Sequence, residues 1–293
     1  MASRVTALLA REGFAGEVLV ADRERVQVNE VAGGVPQRST WRWASVSKQV
    51  AAALTMRQVQ AGLVKLDEPV MGRLPAATAH PRITWRHLLM HTTGLEDIEV
   101  SDWPADPVGA CLGKARQPPG ERFEYRNCDT VLVARLLQQV TGRPYAQLLH
   151  EELTAAVGPH RVSIASSPPE LAAYGAAGAL TGTALDLLAF DRALLARRWL
   201  QAEYTQVMWT GEPALGYVAL GAWAFEAPIR GCTQPVALVE RRGAVRGVQV
   251  RNIMAPTLGK IVIVFTLAED FEFGEVWQGQ GFTHDLLSAA LCG

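Results

Sequence analysis

A serine and a lysine three residues apart, Ser45 and Lys48, are the residues whose types and spacing first suggest chemistry. Positions i and i+3 of a helix share a face, so the two side chains can meet if a helix begins here. A helix N-terminus also favours negative charge developing on the serine oxygen. The pair therefore predicts an activated nucleophile. The alternative is a serine that caps the helix, followed by a solvated lysine, and the pair alone favours neither interpretation.

A tyrosine and an asparagine, Tyr125 and Asn127, form the second candidate group, just before a predicted helix over 128–141. A nearby ammonium favours the tyrosinate, so Tyr125 could act as a general base if it lies beside Lys48. The alternative is a tyrosine in a turn, with Asn127 capping the next helix.

Two further groups of residues suggest a ligand less strongly. His87 and His91 have the spacing of a two-histidine metal site, but no glutamate completes an H-E-x-x-H pattern and no third ligand lies nearby. We therefore expect no metal or other cofactor, and a structural role for both histidines. Trp41 and Trp43 either wall an aromatic acyl pocket or pack in the core.

Hydrophobic periodicity and turn residues predict the elements that position these groups. The chain is expected to open with a hairpin over 16–31 and to continue with a buried helix from Ser45 to Leu63. The predicted helices that follow cover 84–91, 128–141, 144–157, 183–198 and, at the end, 282–292. The predicted later strands cover 216–226, 234–242, 247–254 and 260–267. A long loop over 96–122 is expected near the site.

Strands near both ends of the chain, with helices between them, predict an α+β fold in which one antiparallel sheet is built from the two termini. We expect a discontinuous α/β domain from 1–55 and 200–293, and a mostly helical subdomain over 56–199. The active site would lie in the cleft between them.

Composition limits the function classes. The 293 residues are 49% hydrophobic and 19% charged, which excludes a disordered or fibrous chain. A formal net charge of -1 gives no indication of nucleic-acid binding. Apolar runs are too short for a membrane-spanning helix or a signal-peptide core, and the four cysteines form no CxxC pair. We therefore expect reduced thiols in a cytoplasmic protein that binds neither nucleic acid nor membrane. The oligomeric state is not predicted.

Four segments, in order and spacing, carry a resemblance to a known family: Trp43–Gln49, Leu63–Val70, Ile83–Leu95 and Pro119–Asn127. The chain resembles the serine β-lactamase-like family, above all the class C β-lactamases with their esterase, D-aminopeptidase and transacylase relatives. The resemblance implies a β-lactamase/transpeptidase-like fold.

The resemblance also implies roles for particular residues. Ser45 would be the nucleophile, Lys48 would shuttle its proton, and Tyr125 would serve acid and base roles beside Asn127. An oxyanion hole would consist of the backbone N–H groups of Ser45 and Ala244.

The third motif departs from the family, since Arg241, Arg242 and Gly243 stand where Lys-Thr-Gly or His-Thr-Gly is usual. Arginine can hold a substrate carboxylate, but it stays protonated and is a poor proton relay. The alternative for this arginine-rich hairpin is a solvated sheet edge.

Taken together, the sequence predicts a serine hydrolase or acyltransferase that forms an acyl-enzyme on Ser45 from a small ester or amide. One alternative is a D-aminopeptidase, amidase or β-lactamase in which Arg241 binds a substrate carboxylate. An alternative of another class is a catalytically silent homologue that only binds a ligand. The acyl group and its acceptor are not predicted.

Overall fold

The computed structural model describes residues 1–37, 39–74, 80–104 and 106–292, and the elements below lie in those ranges. The α-helices are α1 (Ala2–Arg11), α2 (Val46–Gln60), α3 (Trp85–Leu89), α4 (Val108–Cys111), α5 (Asn127–Thr141), α6 (Tyr145–Val157), α7 (Pro169–Ala172), α8 (Ala184–Leu195), α9 (Ala202–Met208) and α10 (Phe282–Ala290). The strands are β1 (Gly16–Asp22), β2 (Val26–Ala32), β3 (Trp41–Arg42), β4 (Ser163–Ile164), β5 (Leu180–Gly182), β6 (Trp223–Ala227), β7 (Val236–Val245), β8 (Val248–Ala255) and β9 (Lys260–Thr266).

A six-stranded sheet in the order β2-β1-β9-β8-β7-β6 forms the centre of the molecule. Every neighbouring pair is antiparallel, and β1 from the N-terminal part pairs directly with β9 from the C-terminal part. A sheet built from both termini and flanked by helices is thus confirmed. A second sheet, of three short strands in the order β3-β5-β4, leads into α2.

Both faces of the large sheet are buried because strand residues alternate between two hydrophobic cores. On β9, Ile261 and Ile263 contribute to the core that contains α2, whereas Val262 and Val264 contribute to the core under α1 and α10. β9 therefore reads as a continuous apolar run rather than an alternating one.

Helix α2 runs through the interior and is buried on nearly all sides. Its alanine run, Ala51–Ala53, has no exposed surface, and a helix that is apolar all round belongs in a core. Burial of the helix fixes the position of Ser45, the residue that precedes its first turn.

Most predicted elements are confirmed to within a few residues, but two predictions are wrong. The chain opens with a helix, α1, whose Val5, Leu8 and Leu9 are buried at helical spacing. The predicted strand over 216–226 is limited to Trp223–Ala227, because Gly216 and Tyr217 have left-handed φ values of 71 and 63 degrees and interrupt an extended chain. The predicted loop over 96–122 contains α4, and its residue 105 lies outside the described residues.

The prediction of reduced thiols is also wrong. Cys111 is bonded to Cys128, and Cys232 is bonded to Cys292. The partners are 17 and 60 residues apart, so packing rather than local spacing brings them together. Because the expected cytoplasmic location rested partly on reduced thiols, the cysteines do not support it. Within the described residues, no helix has both the length and the apolar character needed to cross a membrane.

Candidate active site

Ser45 lies at the N-terminus of α2, immediately after Ala44, whose left-handed φ of 47 degrees makes the turn into the helix. The Ser45 side chain does not cap α2. Its Oγ instead accepts a hydrogen bond from Lys48 Nζ at 3.0 Å and forms a second hydrogen bond with the Tyr125 hydroxyl. The hydroxyl therefore faces two groups that can exchange protons, and the capping interpretation is wrong.

Lys48 is only 2% exposed, so it is not a solvated lysine. Its Nζ donates to Ser45 Oγ, to Asn127 Oδ1 at 2.7 Å and to the Ala177 carbonyl oxygen at 2.6 Å, which uses all three ammonium protons. Burial penalises the charged form and lowers the pKa of Lys48 to about 8. The neutral amine is therefore accessible near neutral pH.

Tyr125 connects the serine to two cations. Lys48 Nζ lies 4.8 Å from the centre of its ring, and Arg241 donates a hydrogen bond of 3.1 Å from a terminal nitrogen to its hydroxyl oxygen. Burial alone would raise the pKa of Tyr125, but the positive charges of Lys48 and Arg241 outweigh it and lower that pKa to about 8. Tyr125 is nevertheless 39% exposed, so a substrate can reach it.

Asn127 is the first residue of α5, and its neighbour Arg126 is the N-cap residue. No side-chain hydrogen bond caps this helix, and the Asn127 amide oxygen is directed at Lys48 instead. Asn127 therefore orients the lysine, and the capping interpretation is wrong here as well.

Arg241, on β7, points into the same cluster and is 1% exposed. Its Nε donates to the Ser45 carbonyl oxygen at 2.9 Å, and a terminal nitrogen donates to Tyr125. The next residue, Arg242, takes the other direction and binds Glu240 and Glu275. A solvated sheet edge is thus the wrong interpretation for Arg241.

Gly243 brings β7 against Ser45 and Ala44. A Cβ atom at this position would lie 2.8 Å from the Ser45 backbone nitrogen and 2.9 Å from the Ala44 Cβ, closer than real contacts. Ala244 follows directly and is exposed. Because β6 pairs with β7 only over 236–240, the backbone of β7 beyond that point has one edge without a strand partner.

The two histidines have separate structural partners. His87 accepts from the Thr84 backbone N–H through Nδ1 at 3.1 Å and completes the cap of α3. His91 is buried, its Nδ1 lies 3.3 Å from Asp129 Oδ2, and its ring centre lies 4.9 Å from that of Tyr125. Burial lowers the pKa of His91 to about 4, so its ring is neutral. Across the described ranges, no group of three or more potential ligands could hold a metal ion.

His91 is a residue of the site that sequence reasoning missed, because its spacing from His87 suggested only a metal ligand or a helix ending. It packs behind Tyr125 and helps to fix the phenol ring. No sequence pattern pairs His91 with Tyr125. The two rings meet because α3 packs against α5 in the folded chain.

Trp41 and Trp43 pack in the core, which confirms the second of the two interpretations, core packing rather than an acyl pocket. Trp41 stacks on Phe265 with 5.1 Å between ring centres, and its indole N–H donates to Glu17. Trp43 has no exposed surface, and its indole N–H donates to the Gly182 carbonyl oxygen. Neither ring walls a substrate pocket.

The arrangement is a proton-transfer cluster around one hydroxyl. Ser45 contacts two groups whose pKa values are lowered to about 8, Lys48 and Tyr125, and Arg241 supplies a fixed positive charge beside them. A general base with a pKa near the working pH is suited to activating a hydroxyl nucleophile.

Curated relatives cover parts of the chain. The esterase EstB of Burkholderia gladioli is 27% identical over 190 residues, which are 56% of this chain and 47% of the relative. The D-alanyl-D-alanine-carboxypeptidase/endopeptidase AmpH of Escherichia coli K12 is 27% identical over 149 residues, 45% of this chain and 38% of the relative. Each match thus covers less than half of the relative's length.

Solved structures match nearly the whole chain. The D-amino acid amidase of Ochrobactrum anthropi SV3, in complex with D-phenylalanine, has a TM-score of 0.81 at 19% identity and covers 98% of both chains. A penicillin-binding protein of Bacillus halodurans has a TM-score of 0.79 at 20% identity and covers 99% of this chain and 98% of its own. These likenesses confirm the predicted β-lactamase/transpeptidase-like fold.

A family model described as Beta-lactamase matches residues 1–223, which include Ser45, Lys48, Tyr125 and Asn127 and end before β7. With most of its length matched, the chain belongs to the Beta-lactamase family.

Proposed function

We propose that this protein is a serine hydrolase or acyltransferase that forms an acyl-enzyme on Ser45 from a small ester or amide. The observation that carries the proposal is the hydrogen bonding of Ser45 Oγ to both Lys48 and Tyr125. The named esterase and carboxypeptidase relatives add support for hydrolysis of this class of bond.

In the first step, Tyr125 in its tyrosinate form, or neutral Lys48, takes the proton of Ser45. The serine oxygen forms a bond to the substrate carbonyl carbon, and negative charge moves to the carbonyl oxygen. We propose that the backbone N–H groups of Ser45 and Ala244 bind this oxyanion, since β7 passes directly against Ser45 at Gly243.

In the second step, the bond to the leaving group breaks, and the same acid–base pair returns the proton to the departing oxygen or nitrogen. An acceptor then attacks the acyl-enzyme by the same steps in reverse. The reaction is hydrolysis if the acceptor is water and acyl transfer if it is an amine or alcohol. Asn127 holds the Lys48 amine in place throughout.

Arg241 has a different role from a proton relay. Two of its donors are already directed at the Ser45 carbonyl oxygen and at Tyr125, so it acts mainly as a fixed charge that stabilises the tyrosinate. This use of its donors disfavours the alternative in which Arg241 mainly binds a substrate carboxylate. The silent-binder alternative predicts ligand binding without covalent labelling of Ser45, which separates it from the proposed function.

Turnover of p-nitrophenyl acetate and of an acyl p-nitroanilide tests the proposal. Ser45→Ala is expected to lower kcat on the order of 10⁴-fold or more, because the nucleophile is removed. Ser101→Ala, at an exposed serine outside the cluster, is the matched control and is expected to keep wild-type turnover. Full activity of Ser45→Ala would refute an acyl-enzyme at this position.

A further inference from the structure

A cavity of about 600 Å³ is bordered by four aromatic side chains together with Gly216, Glu226 and Arg242. We call it the aromatic subsite, and its aromatic residues are Tyr217, Trp223, Phe225 and Trp277. Cavities of this volume with apolar and aromatic walls are typical of small-molecule sites. Tyr217 is 47% and Trp277 is 55% exposed, a costly arrangement for large apolar groups unless a ligand covers them.

Trp223 connects the aromatic subsite to the acid–base cluster. The Arg241 guanidinium carbon lies 5.2 Å from the centre of its ring, and the same guanidinium donates to the Tyr125 hydroxyl. The Trp223 ring also meets the Phe123 ring edge-on, with 5.9 Å between centres. One side chain thus belongs both to the wall of the cavity and to the surroundings of Tyr125.

Two charged side chains border the cavity, Arg242 and Glu226. Arg242 borders the cavity, but its guanidinium binds Glu240 and Glu275 and lies 5.3 Å from the centre of the Trp277 ring. Its charge is therefore neutralised by carboxylates and its flat face is covered by an indole. Apart from Glu226, which also lines the cavity, the surface left for a ligand is mainly aromatic.

We propose that the aromatic subsite binds an aromatic or bulky apolar group on the leaving-group side of the ester or amide that acylates Ser45. This inference rests on the proposed function. The leaving atom must collect its proton from the acid–base pair, so the leaving group departs beside Tyr125. Trp223 lies on that side, because its ring contacts Arg241, which is hydrogen-bonded to Tyr125.

Two acetate esters with the same acyl group test the inference, namely 2-phenylethyl acetate and ethyl acetate. Both form the same acetyl-enzyme, so their kcat/KM ratio reports the effect of the leaving group on acylation. The wild-type ratio is expected to favour the phenylethyl ester by about tenfold or more.

Substitutions in the subsite should lower that ratio. Trp277→Ala and Phe225→Ala, which remove two rings that meet edge-on at 5.8 Å between centres, are each expected to lower it several-fold. Trp277→Phe is expected to keep part of the preference. Leu267→Ala, at a residue 48% exposed and outside the cavity, is the control and should keep the wild-type ratio.

The outcomes separate this inference from the proposed function. A wild-type ratio near one, with turnover of both esters still dependent on Ser45, would overturn the aromatic subsite and leave the acyl-enzyme intact. The same ratio in Leu267→Ala and Trp277→Ala would also overturn it. Absence of Ser45-dependent turnover of any ester would remove the proposed function, and the inference with it.

Discussion

The candidate active site has two walls, which carry different kinds of chemistry. The helical wall consists of Ser45, Lys48, Tyr125 and Asn127, and the sheet wall consists of Arg241, Gly243 and Ala244. On the helical wall, Lys48 and Tyr125 have pKa values lowered to about 8, so protons can move there near neutral pH. The sheet wall supplies a guanidinium that stays charged and a backbone that lies close to Ser45.

In this arrangement the groups that can exchange protons lie on the helical wall, whereas the charge that shifts their pKa values lies on β7. Arg241 is among the causes that lower the pKa of Lys48 and that of Tyr125, because its positive charge disfavours the ammonium and favours the tyrosinate. A lysine or histidine in its place could itself exchange a proton. With arginine there, the proposed mechanism confines the proton transfers to the helical wall.

After removal of Ser45 itself, the largest effect is expected from a substitution on the helical wall. Lys48→Met removes the amine that binds Ser45, Asn127 and the Ala177 carbonyl oxygen while keeping similar side-chain volume. We expect kcat/KM for p-nitrophenyl acetate to fall about 10³- to 10⁴-fold. Lys65→Met, at an exposed lysine, is the control. A loss of less than tenfold in a folded Lys48→Met protein would show that the lysine is not needed for proton transfer.

A smaller effect is expected from the backbone of the sheet wall. Gly243→Ala places a Cβ within 2.9 Å of Ala44 Cβ and closer still to the Ser45 nitrogen, so β7 must move away from the nucleophile. Displacing a donor of the oxyanion hole is expected to lower kcat by about 10²- to 10³-fold. The matched control is Gly109→Ala, where a Cβ meets nothing within 4 Å. Equal kcat values for the two variants would contradict an oxyanion site on β7.

The smallest effect concerns the pH dependence of kcat/KM and tests whether the sheet wall tunes the base on the helical wall. Because Arg241 lowers the pKa of Tyr125 and that of Lys48, Arg241→Gln should raise both. The base is then protonated over a wider range, so the acid limb of kcat/KM should move to higher pH, with activity at neutral pH falling roughly tenfold. Arg246→Gln, at an exposed arginine of the β7–β8 turn, should leave the limb in place. An unchanged limb in Arg241→Gln would mean that the sheet wall does not tune the base.

Local pattern predicted the two helices of the helical wall, but it left open whether Ser45 and Asn127 cap them, and only the family resemblance implied that Tyr125 acts with Lys48. Periodicity and turn residues predict helices over 45–63 and 128–141, which the structure has as α2 (Val46–Gln60) and α5 (Asn127–Thr141). The sheet from both termini was also predictable, because its strands are apolar runs separated by turn residues. The domain limits at 55/56 and 199/200 stay a prediction.

The roles of Arg241 and Arg242 and the pairing of the cysteines depend on tertiary contacts, which the sequence patterns did not predict. Arg241 and Arg242 are neighbours of the same type, and only the register of β7 determines that Arg241 meets Tyr125 while Arg242 meets Glu275. The disulfide between Cys232 and Cys292 likewise depends on how the chain end after α10 packs. Helix α1 was predictable, because Val5, Leu8 and Leu9 have the spacing of one helix face.

The central claim, an activated nucleophile at Ser45, is tested most directly by intact-protein mass after incubation with a fluorophosphonate. The account predicts one stoichiometric adduct on the wild-type protein, located on Ser45, and no adduct on Ser45→Ala. It also predicts faster labelling as pH rises through the range near 8, where Lys48 and Tyr125 lose their protons. An adduct of equal yield on Ser45→Ala, or none on a wild-type protein that hydrolyses esters, would contradict it.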